Sequence, residues 1–299
     1  MGSPERDQPV RVAKPAWLKK KLPSGPAYER MRRLLRDSCL NTVCQEAQCP
    51  NQFECYSKGT ATFMILGERC SRNCTFCAVA HGPDRPPDPQ EPRRVAQAVL
   101  KMDLKFCVIT SVTRDDLDDG GASYFAATIE AVRQESPSTM VEVLIPDLQG
   151  NYPALGHIID AGPEVLNHNL ETVPRLYPQV RPQAVYRRSL DLLREVKKRQ
   201  PSMVTKSGIM LGLGEKRDEL LQAMDDLQAV GCDILTLGQY LQPSRKHHRI
   251  VRFVPPEEFA ELENIALGKG FSGVASGPSV RSSYEAGELY RKALQALGG

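Results

Sequence analysis

Several features are missing from this sequence, and each absence narrows what the chain can do. No stretch reaches the ~18–20 continuous apolar residues of a membrane-spanning helix. Met1–Ala13 is polar and has no apolar core of the kind an export signal needs. A large excess of one charge is also absent. The 39 Lys and Arg stand against 36 Asp and Glu, a net of +3. That balance argues against nucleic acid or an anionic membrane as the main partner. No G-x-G-x-x-G run follows the first strand-like stretch, so a dinucleotide site has no signature here. The expectation is a cytoplasmic chain, and its nine cysteines then point to metal or redox chemistry rather than disulfides.

Six of those cysteines fall between residues 44 and 77, in two triplets. Cys44, Cys49 and Cys55 are spaced C-x4-C-x5-C, and Cys70, Cys74 and Cys77 are spaced C-x3-C-x2-C. Neither triplet has a fourth cysteine nearby. A structural zinc site wants four closed ligands, usually in C-x2-C pairs, and neither triplet offers that. Thiolates also suit iron–sulfur clusters. Three of them can hold three irons of a cubane and leave the fourth open to a substrate or cofactor. One zinc site drawing on both triplets is the competing reading, and a non-catalytic iron–sulfur electron carrier is another.

The rest of the chain alternates regularly. Residues 1–26 carry five prolines among charges and read as an extended or poorly ordered, flexible arm. A short helix over 27–38 follows, then the first triplet in turn-rich sequence within an extension that runs to residue 61. Apolar runs predict strands at Thr62–Leu66, Phe106–Thr110, Met140–Ile145, Glu164–Asn169, Val204–Leu211 and Asp233–Tyr240. Helical spacing predicts helices at Glu91–Met102, Tyr124–Gln134, Tyr152–Asp160, Tyr186–Arg199, Glu219–Val230 and Pro256–Gly268. Six strands alternating with six helices imply a parallel sheet with right-handed crossovers. The expected fold is therefore α/β, an incomplete (β/α)6 barrel over residues 62–270 with N-terminal and C-terminal extensions. In the second extension, 271–299, the Gly/Ser stretch Ser272–Ser279 reads as a surface loop, ahead of a terminal helix from Glu285 to Leu297.

The run Cys70-x3-Cys74-x2-Cys77, with Phe76 before the last cysteine, resembles the signature of the radical S-adenosylmethionine enzymes. Together with the upstream triplet and Arg281-Ser282-Ser283-Tyr284, it makes the chain similar to the lipoyl synthase family from about Asp37 to about Tyr290. The resemblance implies two 4Fe–4S clusters and S-adenosylmethionine. Cys70, Cys74 and Cys77 would hold the cluster that binds and cleaves that cofactor. Cys44, Cys49 and Cys55, with Ser283 as fourth ligand, would hold an auxiliary cluster that serves as sulfur donor. The implied reaction inserts two sulfurs, at C6 and C8 of an octanoyl chain bound to a lysine of a carrier protein.

The same resemblance, joined to the rule that barrel chemistry gathers at the C-terminal strand ends, places cofactor contacts at Phe76, Thr113, Asn169, Glu171 and Arg187. His168 alone reads as a packed histidine. The aspartates 115, 116, 118 and 119 crowd one another, and several should be solvated. Residues 282 and 283 could also cap the terminal helix. Cys107 and Cys232 read as inert core thiols, and Cys39 as a weak spare ligand. The implied partners are an octanoylated lipoyl domain of a 2-oxoacid dehydrogenase or a glycine-cleavage H-type protein, and an electron donor such as flavodoxin or ferredoxin. Arg281 and the basic run Arg245–Arg249 are candidates for carrier docking.

Overall fold

Each apolar run that ends in a polar loop and a helix has to return its chain before the next strand begins, and this makes the sheet parallel. The computed structural model describes residues 14–18, 29, 33–36, 40–46, 51, 62–82 and 85–298. The order opens with β1 (Asn41–Thr42), α1 (Val43–Glu46), β2 (Thr62–Ile65), β3 (Arg69–Cys70) and β4 (Ala80–His81). It continues through α2 (Glu91–Lys101), β5 (Phe106–Ser111), α3 (Ala122–Glu135), β6 (Met140–Leu144), α4 (Tyr152–Asp160) and β7 (Val165–Asn167). Then come α5 (Tyr177–Val180), α6 (Tyr186–Arg199), β8 (Val204–Leu211), α7 (Arg217–Ala229) and β9 (Ile234–Gln239). The last elements are α8 (Pro256–Gly268), β10 (Gly273–Gly277) and α9 (Ala286–Leu297).

The main sheet runs β1-β2-β5-β6-β7-β8-β9-β10. From β2 onward every pairing is parallel. Only β1 is antiparallel, against Phe63 and Met64 of β2. The edges β1 and β10 do not pair with each other, so the α/β sheet forms an incomplete barrel. The six predicted strands form its middle. One expectation fails: the Gly/Ser stretch is not a loop. Gly273–Gly277 pairs residue by residue with Ile234–Gly238 and adds a seventh parallel strand. Its small residues carry no strand signal of their own. They fit here because α9 comes close: a Cβ on Gly273 would lie 3.3 Å from that of Ala293.

The helices are held by identifiable contacts. Glu91 starts α2 and its carboxylate accepts the Leu66 N–H at 2.8 Å. Asn151 caps α4 by accepting from the Ala154 N–H at 3.1 Å. Leu190, Leu193 and Val196 of α6 are buried against the sheet, each contributing roughly 1.5–3 kcal/mol. α9 packs Leu289, Tyr290 and Ala293 on Val165, Val204 and Ile234, the first residues of three strands. It therefore plugs the N-terminal end of the barrel. Of the expected arm, Ala16–Leu18 is a 3-10 turn with Leu18 buried rather than extended chain. Glu29 and Arg33–Arg36 are helical, and the remainder of the 27–38 helix lies outside the described residues.

Above that plug sits a buried ion pair. Lys206 Nζ donates to both Glu142 oxygens at 2.9 and 3.0 Å, with both side chains 1% exposed. Asn167 Nδ2 donates to Glu142 as well, at 3.0 Å. Removing one partner strands a buried charge. We expect Lys206→Met to lower unfolding free energy by about 3–5 kcal/mol and Lys206→Met with Glu142→Leu to recover most of it. Urea denaturation of the two variants checks this; equal stability losses would contradict it.

Candidate metal and cofactor site

The second cysteine triplet leaves the sheet at the end of β2, where Leu66 turns with φ 70°. β3 and β4 then pinch the loop into a small two-stranded ribbon, Cys70 opposite His81. Three neighbours hold it. Ser71 N–H and Oγ–H donate to Thr113 O at 2.9 and 3.0 Å. Thr75 N–H donates to Val180 O at 3.0 Å, and Asn73 N–H to Gln183 Oε1 at 2.7 Å. On the other flank His248 N–H donates to Thr75 O at 2.8 Å, and the His247 Nε2–H bonds to Cys77 O at 3.0 Å.

The result is three thiols on one cavity of about 550 Å3, a size suited to an organic ligand. Cys70 Sγ already receives two backbone N–H donors, from Arg72 at 3.4 Å and Thr113 at 3.3 Å. Burial raises the Cys74 thiol, and raises Cys77 to about 12. Bare thiolates are therefore disfavoured here. A soft cationic centre that takes up their charge restores what burial removes. The donor set fits an iron–sulfur cluster with one open iron.

The cavity floor is built by strand ends. Gly208 of β8 is required there: a Cβ would lie 2.7 Å from Thr236 Oγ1 and 2.9 Å from Asn169 Oδ1. Asn169 donates from Nδ2 to Glu171 Oε1 at 3.1 Å, while its Oδ1 is buried without a partner among the described residues. Glu171 has φ 65° and is raised above the usual carboxylate range by desolvation. Arg181 faces both Glu171 and Cys74; burial opposes its charge, but Tyr177, Glu171 and Cys74 keep it protonated. Its Nη1 donates to Asn169 O at 2.9 Å and Leu170 O at 3.1 Å. Unpartnered acceptor, carboxylate and guanidinium together suit a ligand that carries both an ammonium and a carboxylate.

Phe76, Thr113, Asn169 and Glu171 all line this cavity together with the three cysteines. Arg187 does not. It lies on the outer face of α6 with its side chain 70% exposed, paired with Asp191 at 3.2 Å. The apolar stripe of α6 faces the sheet, which turns Arg187 outward, so it is withdrawn as a cofactor contact. Arg181, six residues earlier, is buried and lines the cavity instead. It sits in a Pro-rich stretch with no periodic signal and was missed. Arg72 was missed too. It bonds Asp115 at 2.7 and 2.8 Å and Asp147 at 2.5 Å. Burial opposes ionisation of Asp147, but the Arg72 contacts hold it down to about 2. Of the crowded aspartates, Asp116 and Asp118 are exposed, as expected of several, but three of the four are also engaged. Asp115 holds Arg72, Asp116 holds Arg114, and Asp119 accepts the Gly121 and Ser123 N–H groups. At the end of β8, Gly212, Leu213 and Gly214 donate their N–H groups to Glu215, so that turn is closed on itself.

Cys107 and Cys232 are 1% and 2% exposed, and burial raises both thiols. Cys39, Cys49 and Cys55 lie outside the described residues; Cys44 lies in α1. Its neighbour Val43 lines the cavity, as do Arg281, Ser282 and Ser283. Between Cys49 and Cys55, Asn51 is buried and donates from Nδ2 to Ser279 O at 2.6 Å. Neither serine caps α9, whose N-cap is Glu285 with φ 48° and no side-chain capping bond. The run enters the barrel because β9 has a glycine under it: Val280 O would lie 2.2 Å from a Cβ on Gly238.

A model described as the Radical SAM superfamily matches residues 64–227. The chain overlays methylornithine synthase (PylB) with a TM-score of 0.53 at 12% identity, covering 81% of this chain and 73% of that one. It overlays HydG, a maturase of the iron–iron hydrogenase, with a TM-score of 0.57 at 15% identity, covering 77% and 54%. The fold and the cysteine site make this a radical S-adenosylmethionine enzyme. Residues 2–49 match a second model, the N-terminal domain of lipoyl synthase. Lipoyl synthase of Desulfotalea psychrophila is 62% identical over 97% of both chains. That of Alkaliphilus metalliredigens is 53% identical over 93% of this chain and 96% of its own. The chain belongs to the lipoyl synthase family. Two 4Fe–4S clusters and S-adenosylmethionine are the cofactors that go with that membership.

His168, behind Asn169, gives a pH-dependent test of this floor. Its Nδ1 bonds Ile145 O and its Nε2 bonds Ser189 Oγ, each at 2.8 Å. A carbonyl only accepts, so Nδ1 carries the proton and Ser189 donates to Nε2. The neutral ring is satisfied, and burial lowers its pKa from 6.5 to about 4. As pH falls from 6.5 to about 4, the unfolded chain gains a proton that the folded chain refuses, so stability drops. Over that window His168→Gln should lose about 3 kcal/mol less stability than the parent, read by urea unfolding of both apoproteins. Parallel curves would refute the assignment.

Proposed function

We propose that the chain inserts two sulfur atoms, at C6 and C8 of an octanoyl chain carried on a protein lysine, to make the lipoyl group. The observation that carries this reading is one cavity shared by three half-buried thiols, the Ser282–Ser283 run and an apolar lining that includes Met64, Val112, Ile145 and Leu241. An electron carrier needs no such space beside its metal, and a zinc-organised binding module needs no Asn169–Glu171–Arg181 floor.

In this reading Cys70, Cys74 and Cys77 hold the cofactor-cleaving cluster. When bound, that cluster and S-adenosylmethionine supply a carbon-centred radical, and the auxiliary cluster supplies sulfur. The chain's own groups do the rest. Glu171 and Asn169 hold the cofactor's ammonium, and Arg181 its carboxylate. Phe76 and Thr113 fix the loop and limit water entry. The apolar wall holds the acyl chain extended, so that C6 and C8 are presented while the rest of the carrier stays outside.

Cys44, Cys49, Cys55 and Ser283 would hold the auxiliary cluster. Support comes from the bond of Asn51, two residues after Cys49 in sequence, to Ser279, which brings Asn51 beside the serine run. Ser283 lines the cavity, where it would ligate. A serine oxygen is a harder ligand than thiolate and makes the weakest corner of such a site, which suits a cluster that gives up sulfide. The carrier we infer is a lipoyl domain or a glycine-cleavage H-type protein, with flavodoxin or ferredoxin as reductant, in the reducing cytoplasm. Carrier docking falls to Arg245, Lys246 and Arg249, which are exposed; Arg281 instead bonds Val280 O inside the cavity.

The decisive experiment is anaerobic reconstitution followed by product mass. About eight irons per chain, and two added sulfurs on an octanoyl-lysyl peptide given S-adenosylmethionine and reductant, are expected. One zinc without sulfide would overturn the proposal. Ser283→Cys should keep its iron but lose sulfur insertion; full turnover in that variant would remove the labile-corner role. Arg187→Ala should leave cofactor cleavage within about twofold of the parent, as for an exposed side chain away from the reacting groups.

A further inference from the structure

Between Cys70 and Cys74 the chain buries an arginine. Arg72 is 5% exposed, although it sits on a loop at the barrel rim. Its Nε and Nη2 donate to the two Asp115 oxygens at 2.7 and 2.8 Å, and Nη2 also donates to Asp147 Oδ1 at 2.5 Å. Asp115 follows β5 and Asp147 follows β6, so one guanidinium ties the loop to two strand ends. The paired bonds to Asp115 use the planar fork of arginine, which a lysine ammonium does not reproduce.

The anchor fixes more than a side chain. Ser71 N–H and Oγ–H donate to Thr113 O, and the Asp115 N–H donates to Ser71 Oγ at 3.0 Å. Residues 70–72 are thereby laid along residues 113–115. Two backbone donors then meet Cys70 Sγ, the Arg72 N–H at 3.4 Å and the Thr113 N–H at 3.3 Å. Both belong to the segments that the Arg72–Asp115 contact clamps together. Donors on a ligating sulfur favour the added negative charge of a reduced cluster.

Formal charge acts in the same direction. Asp147 has a fully buried side chain and also accepts from Arg188 Nη1 at 3.3 Å. Arg72 and Arg188 thus offset Asp115 and Asp147. Without Arg72, one carboxylate beside the cysteine loop is left uncompensated. The field of Arg72 reaches the sulfurs: burial raises the Cys74 thiol, and Arg181 and Arg72 are the cations that oppose it. Arg181 is taken by the cofactor's carboxylate in the reading above, whereas Arg72 has its partners within the chain.

We propose that Arg72 is a positioning residue that makes the cluster on Cys70, Cys74 and Cys77 easier to reduce. It does so by holding two backbone donors on Cys70 Sγ and by offsetting the carboxylates of Asp115 and Asp147. This rests on reading those three cysteines as cluster ligands. The reduction takes one electron from an external reductant and moves no atom.

The test is a potentiometric titration with dithionite and redox mediators, followed by electron paramagnetic resonance. It uses the full-length chain reconstituted under argon and carrying Cys44→Ala, Cys49→Ala and Cys55→Ala, so that one cluster alone titrates. A unit charge about 10 Å away, at an effective dielectric of about 20, changes an equilibrium on the order of tenfold. Arg72→Met in this background should therefore make the cluster about tenfold harder to reduce, a fall of ~59 mV for one electron. Asp147→Asn keeps an acceptor for Arg72 and removes the negative charge, so it should move the potential by a similar amount the other way. Arg72→Lys should fall between Arg72→Met and the background chain. A residue that only holds the loop would cost iron in every variant and give no upward shift. The proposal is overturned if Asp147→Asn leaves the potential at or below that of the background chain. An Arg72→Met chain that keeps both its iron and the background potential overturns it too. Where Arg72→Met loses its iron, Arg72→Lys takes its place, and an unchanged potential there is equally fatal. A background chain that binds no reducible cluster would instead sink the ligand assignment.

Discussion

The structure depends on keeping three half-buried thiols together on one cavity. Desolvation drives Cys77 to about 12 and raises Cys74, so without a positive centre the site favours neutral sulfur. With one, the same desolvation strengthens every electrostatic contact to the bound group. The fold therefore fixes the loop by backbone, not by side chains of the ligands. Donors and acceptors of Ser71, Asn73, Thr75 and Cys77 are taken by three distant segments, at Thr113, at residues 180–183 and at residues 247–248. That arrangement fixes the sulfur positions, with Cys70 Sγ also accepting the Arg72 and Thr113 N–H groups.

The barrel is layered to serve this loop. α9 seals the N-terminal end of the strands with Leu289, Tyr290 and Ala293. The Glu142–Lys206 pair with Asn167 forms a polar layer above it. His168, bonded to Ile145 and Ser189, and the Arg72–Asp147 contact follow at the strand ends. Most of these polar groups are matched, since a buried unmatched one costs roughly 1–3 kcal/mol, although Asn167 Oδ1 in this layer has no partner among the described residues. Two further unmatched atoms lie in the cavity. Asn169 Oδ1 and Arg181 Nε are both buried without partners among the described residues. Native proteins keep such groups where a ligand completes them.

The open edge of the sheet has a functional counterpart. A closed eight-stranded barrel fills its interior with side chains. Here the unpaired edges β1 and β10 leave room for the 278–285 stretch to turn back inside. Val280 passes over Gly238 and Ser283 reaches the cavity, while Asn51 reaches Ser279 from the N-terminal side. Both chain extensions thus converge on the gap that a complete barrel would have closed.

Much of this was legible in the residues. The six strand–helix units were visible because apolar period and turn residues are local properties. So were the two triplets, because ligand spacing within one loop is local as well. Asn169 and Glu171 could be placed at a strand end for the same reason. Position in three dimensions was not local. Gly273–Gly277 has no strand signal and becomes one only because β9 offers an edge and α9 demands small side chains. Arg187 and Arg181 are both arginines near one strand end; the apolar face of α6 alone sends one to solvent, and the turn before it sends the other inward. The sequence by itself determined the chemistry of the ligands and the alternation of elements. Only the tertiary structure decided which distant groups share the cavity with them, because burial and pairing arise from packing between segments far apart in the chain.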